Sequence, residues 1–255
     1  MIGAVPALLA LAFLVTALLY ASVGFGGGST YAALLALSGL DYRLLPLVAL
    51  ACNIVVVAGS SIRFARAGLT PWRNALVLVA LGAPASFLGG LTPIREAAFL
   101  MLLGVSLVLA SLTMLIPVRD AGSSEVGRAP TRAGRWLLLA AAPLGYLAGL
   151  VGIGGGIFLA PLLHLTRWHE ERGIAATASL FILVNSLSGL AGQMLKNGPG
   201  LFGQALGAAL PLLVAVVIGG QIGSLLAARL LPPKWIRWLT AALVLVVGVR
   251  LLAGV

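Results

Sequence analysis

Two short glycine-rich motifs are where this chain could do chemistry. The first is Gly24-Phe25-Gly26-Gly27-Gly28, followed by Ser29 and Thr30, and the second is Gly152-Ile153-Gly154-Gly155-Gly156, followed by Ile157. Neither carries an acid, a base or a nucleophile. What they offer is backbone. Each glycine costs a helix about 1 kcal/mol relative to alanine, so four within five residues predict that the helix stops. A helix that stops and restarts leaves first-turn N–H groups without intrahelical acceptors, at the positive end of the new helix dipole. That combination holds an anion without any buried cation. Among the polar side chains in apolar segments, Asn53, Asn185 and Gln221 are costlier to bury than the serines, and their amides can donate to anion oxygens. The candidate substrate-binding set is therefore Gly26, Gly27, Gly28, Ser29, Thr30 and Asn53, with Gly154, Gly155, Gly156, Ile157, Asn185 and Gln221.

The elements that must position these residues follow from composition. The chain is 61% hydrophobic and 9% charged over 255 residues. A soluble domain carries roughly a quarter charged residues. Lipid is the implied solvent, and about 20 apolar residues cross its hydrocarbon as a helix. Apolar runs occupy 2–23, a short 29–38, 44–62, 72–91 and 94–117, then 135–151, a short 157–168, 174–195, 202–230 and 235–253. Residues 1–117 and 135–255 thus read as two transmembrane repeats of one order. Residues 118–134, rich in Gly, Ser and charge, read as a polar cytoplasmic linker between them. The expected fold is an all-α polytopic membrane protein, each repeat carrying a half-length helix at its glycine break. Met1 to Tyr20 has no charged side chain, so that segment counts as part of the fold rather than as a cleaved signal. Broken backbone inside lipid must be buried in protein or line a polar cavity. A lone GxGGG could merely let helices pack closely, but its recurrence in both repeats favours a site.

A shift of 128 residues lays Val23–Gly28 on Val151–Gly156 with five of six positions identical, and with the register drifting further on, Asn53 meets Asn185 at a shift of 132. Basic residues test how the repeats are oriented, because Lys and Arg in short loops stay cytoplasmic. If each glycine break turns the chain back, twelve basic residues, among them Arg63, Arg66, Arg119 and Lys234, fall on one side. Four, Arg43, Arg95, Lys196 and Arg250, fall on the other. Repeats running in the same direction would give nine against seven. The expectation is inverted-topology repeats, multi-pass in the cell membrane, with both termini outside.

Several function classes are disfavoured. The net charge of +10 is scattered between apolar runs rather than gathered on one face, so no nucleic acid is expected as partner. A phosphate-cradling nucleotide loop would need a following Lys-Ser/Thr or a distant acid in a strand-helix-strand unit, and neither occurs. With a single Cys52 and no metal-ligand spacing, neither metal nor cofactor is expected. All six acidic residues fall in loops or at segment ends, which leaves no mid-membrane carboxylate for proton relay. His164 reads as interfacial and Cys52 as a small apolar core residue, so an intramembrane enzyme finds little to work with. Ser60, Ser61, Ser86, Thr177, Ser179, Ser186, Ser188, Gln193 and Ser224 are further embedded polar residues, of which the serines read mainly as structural.

The doubled GxGGG, the continuation Gly156-Ile157-Phe158-Leu159-Ala160-Pro161, the run Ala176-Thr177-Ala178-Ser179-Leu180 and the late Gly219-Gly220-Gln221-Ile222-Gly223-Ser224 resemble the TauE/SafE-type sulfite exporter family over nearly the whole chain. The resemblance implies a transporter of sulfite, organosulfonates or related sulfur anions. One departure is Ala33, where the second repeat has Pro161. The residues themselves imply a membrane transporter of a small anion, not an enzyme, working by alternating access around the paired breaks. An anion channel on the same scaffold is the alternative, and an intramembrane enzyme the alternative from another class. The partners are the anion and the bilayer. An inside-negative potential favours anion exit by about 2.3 kcal/mol per charge per 100 mV, so export needs no second ion.

Overall fold

The computed structural model describes residues 7–23, 26–115, 131–166, 168–225 and 233–254, and ten helical segments lie among these described residues. They are α1 (Ala7–Val23), α2 (Gly28–Leu37), α3 (Leu44–Arg66), α4 (Trp72–Leu91), α5 (Glu96–Leu115), α6 (Thr131–Val151), α7 (Gly156–Leu165), α8 (Glu171–Leu225) and α9 (Pro233–Ala253). The 55-residue α8 counts twice, because Gly198 (φ 74°, ψ 172°) breaks it into arms 171–197 and 199–225. Unbroken, it would measure about 80 Å against about 30 Å of hydrocarbon. Every element among the described residues is helical, as expected, and five segments lie on either side of residues 116–130. By length and composition, α3, α4, α5 and α8 can cross a membrane.

The short helices are true half-spans. α2 and α7 have ten residues each, about 15 Å of rise. Local chemistry ends them. At the end of α2 the Ser38 amide donates to Leu34 O and Leu35 O, its Oγ donates to Leu35 O at 2.7 Å, and Gly39 takes φ 72°. The absence from α2 of a proline equivalent to Pro161 leaves the two helices equal in length. The start of α6 departs from expectation. It begins at Thr131 and takes in the last four residues of the 118–134 stretch read as linker, because a helix once nucleated adds a hydrogen bond per residue whatever its polarity. The rest of that stretch, Gly24, Phe25 and 226–230 lie outside the described residues.

Helices meet at glycines, as lipid requires when apolar side chains gain little by leaving it. In the α4–α6 contact Gly145 lies against Gly82, Gly149 against Ser86 and Gly89 against Tyr146. In the contact of α1 with the second arm of α8, Gly219 lies against Leu14 and Gly223 against Leu18, so the two helices run parallel. Gly82 faces Phe181 and Asn185 while Gly90 faces Gly189 and Gln193, so α4 runs parallel to the first arm of α8. α5 and α9 are antiparallel, with Gly104 against Leu252 and Gly248 against Val108. α3 and the first arm of α8 are antiparallel too: Leu50 lies at Gly189, while Asn53 and Val57 gather with Ile182 around Gly26. Large apolar side chains such as Leu195 (70% exposed) and Leu139 (66%) point outward, an arrangement stable only in lipid.

Candidate functional site

The two glycine breaks meet. A Cβ added at Gly28, the first residue of α2, would collide with Asn53 Nδ2 and with Ile153 O of the other break. A Cβ at Gly154 would stand 2.8 Å from Asn53 Nδ2 and 3.2 Å from Ser186 Oγ. Asn53 is the pivot of this junction. It is the tenth of the 23 residues of α3, which puts it near the middle of a membrane-length helix, and it is fully buried. Its Nδ2 donates to Ile153 O at 3.3 Å, so a side chain from the first half fixes a backbone carbonyl in the second.

Each break is shaped by what its backbone must do. At the second, Gly152, Gly154 and Gly155 take φ 83°, 82° and 77°, a left-handed run that side chains other than glycine rarely adopt. Gly155 then caps α7, its carbonyl accepting from the Phe158 and Leu159 amides at 3.2 Å. Ahead of the break, Gln193 Nε2 donates to Gly149 O at 2.9 Å and to Leu150 O at 3.3 Å, satisfying the last carbonyls of α6. At the first break Gly27 caps α2 in ordinary right-handed space (φ −85°), and Tyr31 N donates to Gly27 O at 2.8 Å. Two contacts join α1 to α2: Tyr20 Oη and Thr30 Oγ1 are hydrogen-bonded at 3.1 Å, and the Phe13 and Tyr31 rings stack at 4.8 Å. Helix geometry leaves the first-turn amides of Gly28, Ser29 and Thr30 and of Gly156 and Ile157 without intrahelical acceptors, beside a junction with unused polar atoms. Asn53 Oδ1 and Ser186 Oγ are buried with no hydrogen-bond partner. Among the described residues no charged side chain is buried, so dipoles supply whatever electrostatic attraction the site has.

Of the candidate residues, the structure sets Gly26, Gly28, Gly154 and Gly156 against Asn53 or Ile182, with Ser29, Thr30 and Ile157 following in the first turns of α2 and α7, whereas a Cβ at Gly27 would face Thr16 and Tyr31 and one at Gly155 would face Ala148 and Phe181. Asn185 is fully buried, but its amide lies 2.9 Å from where a Gly82 Cβ would be, facing α4, and both its Nδ2 and its Oδ1 lack partners. Gln221 is exposed on the second arm of α8 and is not brought into the group. The match of Asn53 to Asn185 is corrected in space. Gly28 abuts Asn53 where its equivalent Gly156 abuts Ile182, and Gly26 and Gly154 each touch both, so Ile182 occupies the place of Asn53. The reason is packing: the pair 53 and 182 differ by 129, close to the 128 separating the breaks, whereas the identical amides need a slip of most of a helical turn. The junction is consequently amide on one side and apolar on the other. Ser186 and Gln193 emerge as site and bracing residues. Their types marked them only as embedded polar groups, and no spacing in the sequence links Gln193 to α6.

The family profile described as "Sulfite exporter TauE/SafE" matches residues 8–251, which include both breaks, Asn53 and Ser186. The chain belongs to the TauE/SafE sulfite exporter family. Along its length it is 36% identical over 245 residues to the probable membrane transporter protein y4hK of Sinorhizobium fredii, a match covering 96% of this chain and 97% of that one. A second relative, the probable membrane transporter protein MJ0441 of Methanocaldococcus jannaschii, is 26% identical over 112 residues, 42% of this chain and 41% of its own. No solved structure matches. Family membership makes this a membrane transporter, and the glycine junction is the place in it where backbone donors and unpartnered polar atoms converge.

Proposed function

We propose that this protein carries a small oxyanion, a sulfur oxyanion or organosulfonate by its family, across the cell membrane by alternating access around the paired glycine breaks. The observation that carries the proposal is the meeting of the two breaks at Asn53, halfway along α3. Restarted helices from both halves bring free amides to one mid-membrane point, the arrangement by which discontinuous helices bind anionic groups in transporters. The halves are inverted repeats. The antiparallel pairing of α5 with α9, and of α3 with the first arm of α8, supports this, since each pair joins equivalent segments. Rocking one half against the other would open the junction to either face in turn. The twelve-to-four distribution of basic residues supports a cytoplasmic interhalf linker with both termini outside.

The test is flux from proteoliposomes loaded with sulfite, thiosulfate or a small sulfonate. A carrier gives slow, saturable efflux driven by an inside-negative potential. Single-channel current would make the protein a channel instead. Efflux of a small sulfonate, which takes up no proton, that collapses when only the proton gradient is removed, at constant voltage, would refute export without a second ion.

A further inference from the structure

The acceptor at the centre of the junction says more about the substrate than its charge. Asn53 Nδ2 is committed to Ile153 O, and turning the amide over would set Oδ1 against that carbonyl, two acceptors 3.3 Å apart. Oδ1 is therefore held toward Gly26 and Gly28, where a Cβ would stand 3.0 Å and 2.9 Å from it, and it has no donor. An anion approaching the first turns of α2 and α7 thus meets amide donors and one obligate acceptor. A fully deprotonated oxyanion offers only lone pairs and would be repelled there. Nor does the site compensate a second charge: no Lys or Arg among the described residues is buried, and the cost of desolvating an ion rises about fourfold when its charge doubles.

We propose that the site selects a singly charged oxyanion that still bears a proton, its O–H donated to Asn53 Oδ1 and its charged oxygens held by the first-turn amides of the two half-helices. The inference rests on the anion-transport reading above and adds the protonation state. The atoms that gather with those of Asn53 around Gly26, Gly28 and Gly154 belong to Val57, Ile153, Ile182 and Ser186, none of which titrates. The elements packed there add Tyr20 from α1, Tyr31 from α2, Cys52, Arg63 and Arg66 from α3, Tyr146 from α6, His164 from α7, His169 and Glu170 from the segment between α7 and α8, and Glu171, Arg172 and Lys196 from the first arm of α8.

The test compares four anions with the purified full chain by equilibrium binding across neutral pH. Sulfite and selenite each take up one proton in that range, methanesulfonate has one charge and no proton throughout, and sulfate keeps two charges. Affinity for total sulfite or selenite should fall about tenfold per pH unit above the anion's own pKa, because one proton is bound with the anion. Methanesulfonate should bind at least about tenfold more weakly than sulfite at low pH, independently of pH, and sulfate more weakly still. Asn53→Leu should bring sulfite down to the level of methanesulfonate. If sulfite binding is flat or strengthens as pH rises, if sulfate or methanesulfonate matches it, or if methanesulfonate follows the same pH curve through a titrating protein group, the inference is overturned while anion transport stands. If none of the four binds at any pH, the anion reading fails and takes the inference with it. The wild-type pH series decides the matter even where Asn53→Leu does not fold.

Discussion

Gly28→Ala isolates the meeting of the two breaks. Gly28 opens α2 in right-handed space, so alanine there brings no backbone penalty and acts only through its methyl group. That methyl would overlap Asn53 Nδ2 and Ile153 O and stand 2.9 Å from Asn53 Oδ1. Ile153 O is backbone inside a left-handed run and cannot give way cheaply, so the Asn53 side chain must turn aside. Its 3.3 Å bond to Ile153 O is then lost, leaving a buried donor and a buried acceptor unpaired. Each such group costs about 1–3 kcal/mol, and with partial relaxation a net of about 2 kcal/mol is reasonable. Where that cost falls on the binding-competent state it amounts to about a thirtyfold loss of anion affinity. Gly207→Ala is the control, because a Cβ there meets nothing within 4 Å and alanine gains up to about 1 kcal/mol of helix stability. Anion binding and thermal unfolding in detergent would be measured for both. Wild-type affinity together with a wild-type melting temperature for Gly28→Ala would show that the breaks do not meet at Asn53, and the proposed site would fall.

Other perturbations separate bracing, packing and binding. Gln193→Leu strips the partner from Gly149 O and Leu150 O and should lower stability by about 1–3 kcal/mol in a detergent unfolding titration; an unchanged midpoint would mean those carbonyls find water. Asn185→Leu removes two unpartnered buried atoms, so it should keep anion affinity and raise stability by about 1 kcal/mol; a loss of binding would return Asn185 to the site. Gly149→Ala drives a methyl into the Ser86 backbone at the α4–α6 contact and should destabilise by about 1–3 kcal/mol through overpacking, whereas Gly203→Ala, with nothing nearby, should not; equal melting temperatures for the two would argue against that contact.

Much of the architecture was legible along the chain because lipid imposes local rules. A crossing needs a run of apolar residues of known length, a glycine cluster ends a helix wherever it falls, and the recurrence of Val23–Gly28 at Val151–Gly156 exposes the repeat. Hence the all-helical architecture and the short α2 and α7 could be anticipated. The kink at Gly198 was foreseen too, as the gap between two apolar runs. What could not be read was which side chains share a point in space. Asn53 looked like the partner of Asn185 because the residues are identical, but the antiparallel crossing of α3 with α8 sets Ile182 opposite and turns Asn185 toward Gly82. Gln221 belongs to a family-like motif yet is exposed, and Gln193, in no motif, braces the end of α6. Helix rotation is set by close packing between segments 100 and more residues apart, and one residue of slip turns a side chain by about 100°. Local sequence therefore determined where the helices stop, and tertiary packing alone decided what meets there: a pinned amide oxygen, a hydroxyl and the glycines of the two breaks.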